Sequence, residues 1–141
     1  MENYDKNCIF CKIANHEIKS NVIYEDDDVM AFLDISQVTY GHTLVICKKH
    51  YDNFLTCPKE IMNKMFNLAQ RIGQVAIHDL HALGVNILTN CYEAAGQTVN
   101  HFHIHVIPRY KNKEGFEITM KENDQNLNLP AIAETLTNSL K

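Results

Sequence analysis

His101-Phe102-His103-Ile104-His105-Val106-Ile107 is the stretch on which the reading of this chain turns. Apolar and imidazole side chains alternate strictly along it. Successive side chains of a β-strand point to opposite faces, so Phe102, Ile104 and Val106 share one face, suited to a core. His101, His103 and His105 share the other, about 6.6 Å apart along the strand. Histidine is not a strong strand former, and protonated imidazoles repel one another, so a row of three needs a use. Two uses fit. Neutral imidazole is the commonest metal ligand. It also attacks and moves protons near neutral pH, because its unperturbed pKa is about 6.5.

Upstream lies the loop Asn90-Cys91-Tyr92-Glu93-Ala94-Ala95-Gly96-Gln97-Thr98. Gly96 admits a close backbone approach and Thr98 offers a hydroxyl, which suits a cradle for phosphate or an oxyanion. An ordinary turn has the same composition, so the loop gains weight only from the histidines beside it.

Further outward, residues 22–25 and 29–33 read as strands joined by the turn Asp26-Asp27-Asp28. Residues 43–47 form a short buried strand. A long helix starts near Pro58 and carries Ile61, Met65, Leu68, Ile72, Ala76, Leu80 and Leu83 at steps of three and four, with Gly84 as its stop. Residues 85–89 and 100–108 are further strands. Residues 8–18 hold a short helix running into a loop, 115–128 are polar and irregular, and 130–140 form a last helix. The class is α+β: an antiparallel sheet, one long covering helix and a short N-terminal helix.

The 141 residues fit one domain, 1–141, with a core at 8–109 and a divergent tail at 110–141. No stretch is apolar for the roughly 20 residues of a membrane helix, and the polar start lacks the order of a secretory signal, so a cytoplasmic protein is expected with no membrane partner. Five cysteines without an export signal argue against a disulfide framework. The net charge of −4 and the lack of a dense basic stretch argue against general nucleic-acid binding.

The run from His101 to Ile107 resembles the signature of the histidine triad family, His-φ-His-φ-His-φ-φ with φ apolar. The preceding Ala95-Gly96-Gln97-Thr98-Val99-Asn100 is similar to that family's loop. Phe10-Cys11-Lys12-Ile13, Glu25-Asp26-Asp27, residues 31–36 and residues 41–46 resemble its Hint-like branch, and Pro108-Arg109 its Fhit-like branch.

The resemblance implies a homodimer whose sheets join. It also implies a nucleotide hydrolase or transferase acting at the α-phosphorus of purine nucleoside phosphoramidates or related nucleotidyl compounds. His103 would attack and form a nucleotidyl-histidine that water resolves. His105 would contact phosphate oxygens, and Asn90, Gly96, Gln97 and Thr98 would line the phosphate site, with Thr98 near the leaving group. Asp34 would hold the ribose hydroxyls. Phe10, Ile13, Ile18 and Ile35 would form the base slot. A free neutral imidazole implies activity that falls below about pH 6.

Cys8 and Cys11 form a C-x-x-C pair, too near the start of the chain for a thioredoxin-like motif and two ligands short of a zinc site. The resemblance supplies His50, in Lys48-Lys49-His50, and His101 as the remaining ligands of a structural zinc. His16, His42, His78 and His81 read as exposed or locally satisfied, Cys57 and Cys91 as minor, and Cys47 carries no assigned role. Met62 and Met65 read as core.

Three other functions compete. One is a metal-dependent hydrolase with all three triad histidines as ligands. Another is a dinucleoside polyphosphate hydrolase of the Fhit type. The last is a nucleotide-binding module whose hydrolysis is incidental. The branch that acts as a DNA-repair deadenylase carries a basic zinc finger that this sequence lacks. Tryptophan is absent too, so the Trp-containing tail of the Hint branch has no counterpart.

Overall fold

The structure, a computed structural model, describes residues 3–111, 114–123 and 125–141. It is α+β, as the pattern predicts. Helix α1 (Ile9–Ala14) is followed by strands β1 (Val22–Glu25), β2 (Val29–Leu33) and β3 (Thr43–Cys47), then by the long α2 (Lys59–Asp79). Strand β4 (Gly84–Leu88), strand β5 (His103–Arg109) and helix α3 (Leu129–Leu140) complete the order. The five strands form one antiparallel sheet in the order β1-β2-β3-β5-β4, with the histidine strand inside it.

Local chemistry explains the elements. The Asp26 carboxylate accepts from the backbone N–H groups of Asp28 and Val29 at 2.8 and 2.9 Å, which closes the β1–β2 hairpin. Met65, Leu68, Ala69, Gly73 and Ala76 lie on the buried stripe of α2. That stripe packs on Phe102, Ile104 and Val106, the apolar set of the alternating segment. Met65 is fully buried and Met62 packs at the margin, so both belong to the core.

Three boundaries differ from expectation. Helix α2 ends at Asp79, four residues short of Leu83, which is 81% exposed. His81 takes a left-handed φ of 61°, and the Ala82 N–H turns back to the Ala76 carbonyl at 3.1 Å. The helix is therefore closed by a histidine in the role usually given to glycine, and Gly84 simply starts β4. Pro58 stands one residue before α2 as its cap. Strand β5 starts at His103 rather than 100, because Phe102 N–H leaves the ladder to donate to the Tyr51 carbonyl at 2.7 Å.

The histidine face of the sheet is also covered. Phe10, Cys11, Ile13 and Ala14 of α1 pack there on Met30, Phe32, Leu44 and Ile46. The histidine side of β5 is thus largely covered: His103 is 6% exposed, His101 just before the strand is 0% exposed, and His105 is half-buried. After Phe116, whose ring lies under Arg109, every described residue to the end of the chain is exposed.

Candidate active site and metal-ligating cluster

The register of β3 and β5 sets Ile46 opposite His103 and Leu44 opposite His105. With Phe10 edge-on to His103 at 5.0 Å, these apolar neighbours strip water from the imidazoles. Burial lowers the pKa of His103 and of His42, and lowers those of His101 and His105 to about 4. All four rings are neutral at physiological pH, with one lone pair each.

Hydrogen bonds decide where those lone pairs lie. His103 Nδ1 is 2.7 Å from the His101 carbonyl oxygen. A carbonyl only accepts, so Nδ1 carries the proton and Nε2 the lone pair. His105 Nδ1 is 2.9 Å from His42 Nε2. The Val38 N–H points at His42 Nδ1 at 3.4 Å, which makes Nδ1 an acceptor and Nε2 the donor. His42 therefore donates to His105, whose own N–H is left on Nε2. The strand presents a nucleophilic nitrogen on His103 and a donor on its neighbour His105, with ring centres 5.1 Å apart.

His42 is the residue that the sequence misses. It is 3% exposed; Val38 satisfies one ring nitrogen locally, but the other is bonded to a residue 63 positions away. A single histidine in a loop carries no periodic signal, and only the pairing of β3 with β5 brings it to His105. The other three read as expected: His16 pairs with Glu25, His78 with Asp79, and His81 is exposed.

Asp34 Oδ1 caps the Ser36 N–H at 2.7 Å, and Oδ2 lies 3.8 Å from His42 Nε2. Phe10 is buried beside His103 and Ile13 is buried in the same apolar cluster, whereas Ile18 and Ile35 stand at the surface, 37% and 89% exposed. In the upstream loop, Gly96 has a φ of 95°, and Asn90 Nδ2 donates to its carbonyl at 3.4 Å. Gln97 braces the loop: its Oε1 accepts from Tyr92 N–H, and its Nε2 donates to the Asp52 and Val99 carbonyls. Among the described residues the Thr98 hydroxyl makes no hydrogen bond, and it borders a recess of about 460 Å³ with Tyr92, Glu93, Gln97 and Asn100.

Cys8, Cys11, His50 and His101 converge, with one ligand atom of each within 4.8 Å of the others. His101 Nε2 donates to the Cys47 carbonyl at 2.7 Å, which leaves Nδ1 as the lone pair, 3.3 and 3.6 Å from the thiols of Cys8 and Cys11. His50 Nδ1 is 3.4 Å from Cys11 Sγ, and its Nε2 is 3.1 Å from the Asp52 carboxylate. Each ring thus turns one nitrogen inward and anchors the other on an oxygen, the outer-shell arrangement of metal-bound histidine. Sulfur and nitrogen on one tetrahedral zinc are about 3.6 Å apart, so the donor set fits. Burial pushes the Cys11 thiol up to about 11, so only a bound cation would hold it as a thiolate. Cys47, given no role from sequence, supplies the carbonyl that orients His101.

Comparison with known proteins agrees with this geometry. The HIT domain model matches residues 15–112. The protein hit of Bacillus subtilis is 46% identical over 116 residues, 82% of this chain and 80% of its own. An adenylylsulfatase of Arabidopsis thaliana is 35% identical over 102 residues, 72% of this chain and 52% of its own. Among solved structures, a HIT family protein from Bacillus anthracis is 44% identical and superposes with a TM-score of 0.89, covering 96% of this chain and 99% of its own. A Streptococcus mutans protein is 38% identical with a TM-score of 0.90, covering 100% and 90%. A zinc-bound histidine triad protein from Mycobacterium smegmatis is 38% identical with a TM-score of 0.71, covering 84% of each. A matched domain over most of the length, a shared fold and an ordered histidine row lead to one assignment: this chain is a member of the HIT, or histidine triad, family, of the bacterial kind.

Proposed function

We propose that the protein is a nucleotidyl hydrolase or transferase that works through a covalent intermediate on His103. The observation that carries this reading is the bond from His103 Nδ1 to the His101 carbonyl, which leaves Nε2 unprotonated beside the donor on His105. Nε2 attacks the α-phosphorus of a purine nucleoside phosphoramidate or a related nucleotidyl compound. The P–N or P–O bond to the leaving group breaks, and its electron pair departs with that group, which takes up a proton from water. Water then attacks phosphorus and the N–P bond breaks, which releases the nucleoside monophosphate and returns neutral His103. Splitting one displacement into two lowers the barrier of each, and His105 supplies the charge-stabilising donor that phosphoryl transfer needs.

The roles of the other residues belong to the same proposal. Asn90, Gly96, Gln97 and Thr98 frame the phosphates, Asp34 holds the ribose, and Phe10, Ile13, Ile18 and Ile35 flank the base. The sulfatase activity named for the Arabidopsis relative is also the release of a group from an adenylyl unit. We assign Cys8, Cys11, His50 and His101 as ligands of a structural zinc, a reading supported by the zinc-bound mycobacterial relative. Four protein ligands leave no open position for water, so that zinc would hold the N-terminal segment against the catalytic strand. A homodimer completes the reading.

The test is incubation with an adenosine phosphoramidate labelled in its AMP moiety. An acid-labile label should appear on His103 and be absent from His103→Ala. A folded His103→Ala protein that turns over at the wild-type rate refutes the reading.

A further inference from the structure

We infer that Cys47 and Cys57 form a redox-active dithiol, a modification site that hydroperoxides convert to a disulfide within the chain. Neither thiol has a part in the proposed chemistry, and neither belongs to the cluster of Cys8, Cys11, His50 and His101. Cys47 ends β3 and is 0% exposed, whereas Cys57 stands two residues before α2 and is half-buried. In the fold the two meet. Cys57 packs on the core cluster that contains Cys47, and their side chains share a hydrogen bond. Two thiols already in contact can join with little movement of the backbone.

The pair is unsymmetrical, and that sets an order of events. The Cys47 S–H donates to the Cys57 sulfur, and the Met62 N–H near the start of α2 faces the same sulfur. Together they lower the Cys57 pKa against the opposing effect of burial. The positive end of a long helix favours a thiolate in the same way. Cys47 is driven upward, first by that hydrogen bond and then by burial. Its sulfur lies 3.5 Å from His101 Nε2, across the ring from the Nδ1 that faces Cys8 and Cys11. Cys57 is therefore the nucleophile that solvent reaches, and Cys47 is the partner held behind it.

The chemistry balances. The Cys57 thiolate attacks the terminal oxygen of a hydroperoxide and the O–O bond breaks. The leaving oxygen departs with the electron pair and takes a proton from water, and Cys57 becomes a sulfenic acid. The Cys47 sulfur then attacks the Cys57 sulfur. The S–S bond forms, the S–O bond breaks, and hydroxide leaves with the Cys47 proton as water. The thiols lose two electrons and the hydroperoxide gains them.

The disulfide fastens both ends of residues 48–56. That strap supports the candidate site: the Tyr51 carbonyl accepts from Phe102 N–H at 2.7 Å, and the Asp52 carbonyl accepts from Gln97 Nε2 at 2.6 Å. The Asp52 carboxylate also accepts from Asn100 Nδ2 at 3.2 Å. Closing the loop in the unfolded chain stabilises the fold that already holds the two sulfurs together.

The test treats the full chain, as purified, with a few-fold excess of hydrogen peroxide and follows its mass without reductant. Trypsin cuts after Lys48 and Lys49, between the two cysteines, so the disulfide should join peptides 20–48 and 50–59 with loss of two hydrogens. Dithiothreitol should part them, and Cys57→Ser should abolish the joined species. Cys91, also half-buried, is the internal comparison and should react about tenfold more slowly. The oxidised chain should melt several degrees above the reduced one. Peptides 20–48 and 50–59 that stay separate, or Cys91 reacting before Cys57, overturn the inference. A disulfide that lowers the melting temperature overturns it as well, because the native fold would then not hold the sulfurs in position to join.

Discussion

Replacing His42 with leucine tests the hydrogen-bond chain behind the triad. In the wild type, Val38 N–H faces His42 Nδ1, His42 Nε2–H donates to His105 Nδ1, and the His105 proton sits on Nε2. Leucine fills similar space but donates nothing. A neutral hydrogen bond is worth about 0.5–1.5 kcal/mol, and a transition-state donor lost outright costs about 10²–10³ in rate. Freeing the His105 tautomer and ring falls between these limits, so kcat should drop about 10- to 100-fold, or roughly 1.4–2.7 kcal/mol. KM should change less than kcat, because the proposed contacts to base and ribose stay in place. His42→Gln keeps an N–H near the same place and should recover most of the loss. The assay is the single-turnover rate of label transfer to His103, with thermal melts to show equal folding. A wild-type rate in His42→Leu, or equal damage from leucine and glutamine, would refute the hydrogen-bond chain.

Other outcomes follow from the same geometry. The acid limb of the pH–rate profile should be centred below 6.5, since burial lowers the pKa of His103 from that of a free imidazole; an acid limb centred at or above 6.5 contradicts that environment. Thermal stability should also decline with acid: His101 and His105 keep pKa values of about 4 in the fold and ordinary ones near 6.5 when unfolded. Below 6.5 the unfolded chain binds protons the fold refuses, so the melting temperature should fall between 6.5 and about 4. Tyr92 has φ 74° and ψ 159°, a region costing non-glycine residues about 1–3 kcal/mol. Tyr92→Gly should thus raise stability by about 1 kcal/mol after the added chain entropy, read from denaturant midpoints. Purified protein should hold near-stoichiometric zinc by elemental analysis, and a Cys8→Ser, Cys11→Ser double variant should lose both the metal and several degrees of melting temperature.

Much of this architecture is legible in the amino-acid order. Alternation between Phe102 and Val106 gives the core side of β5, and the three-four spacing from Met65 to Ala76 gives the face of α2. The C-x-x-C pair is visible at once, and His50 and His101 join it through family resemblance. Features that depend on distant pairing are not visible. The end of α2 rests on His81 adopting a left-handed turn, which no glycine announces. The covering of the histidine face by α1 needs tertiary packing, and so do the depressed pKa values that follow from it. His42 is silent in sequence because its meaning lies wholly in a partner across the sheet.

The peptide oxygen of His101 has a consequence for how this site is dissected. It fixes the proton of His103, while the ring of the same residue faces the two thiols. Side-chain replacement at position 101 deletes the imidazole and keeps the oxygen, so alanine scanning reads the ring and never the acceptor. An amide-to-ester exchange at the 101–102 linkage would weaken that oxygen alone, and it separates two duties that ordinary mutagenesis reports as one.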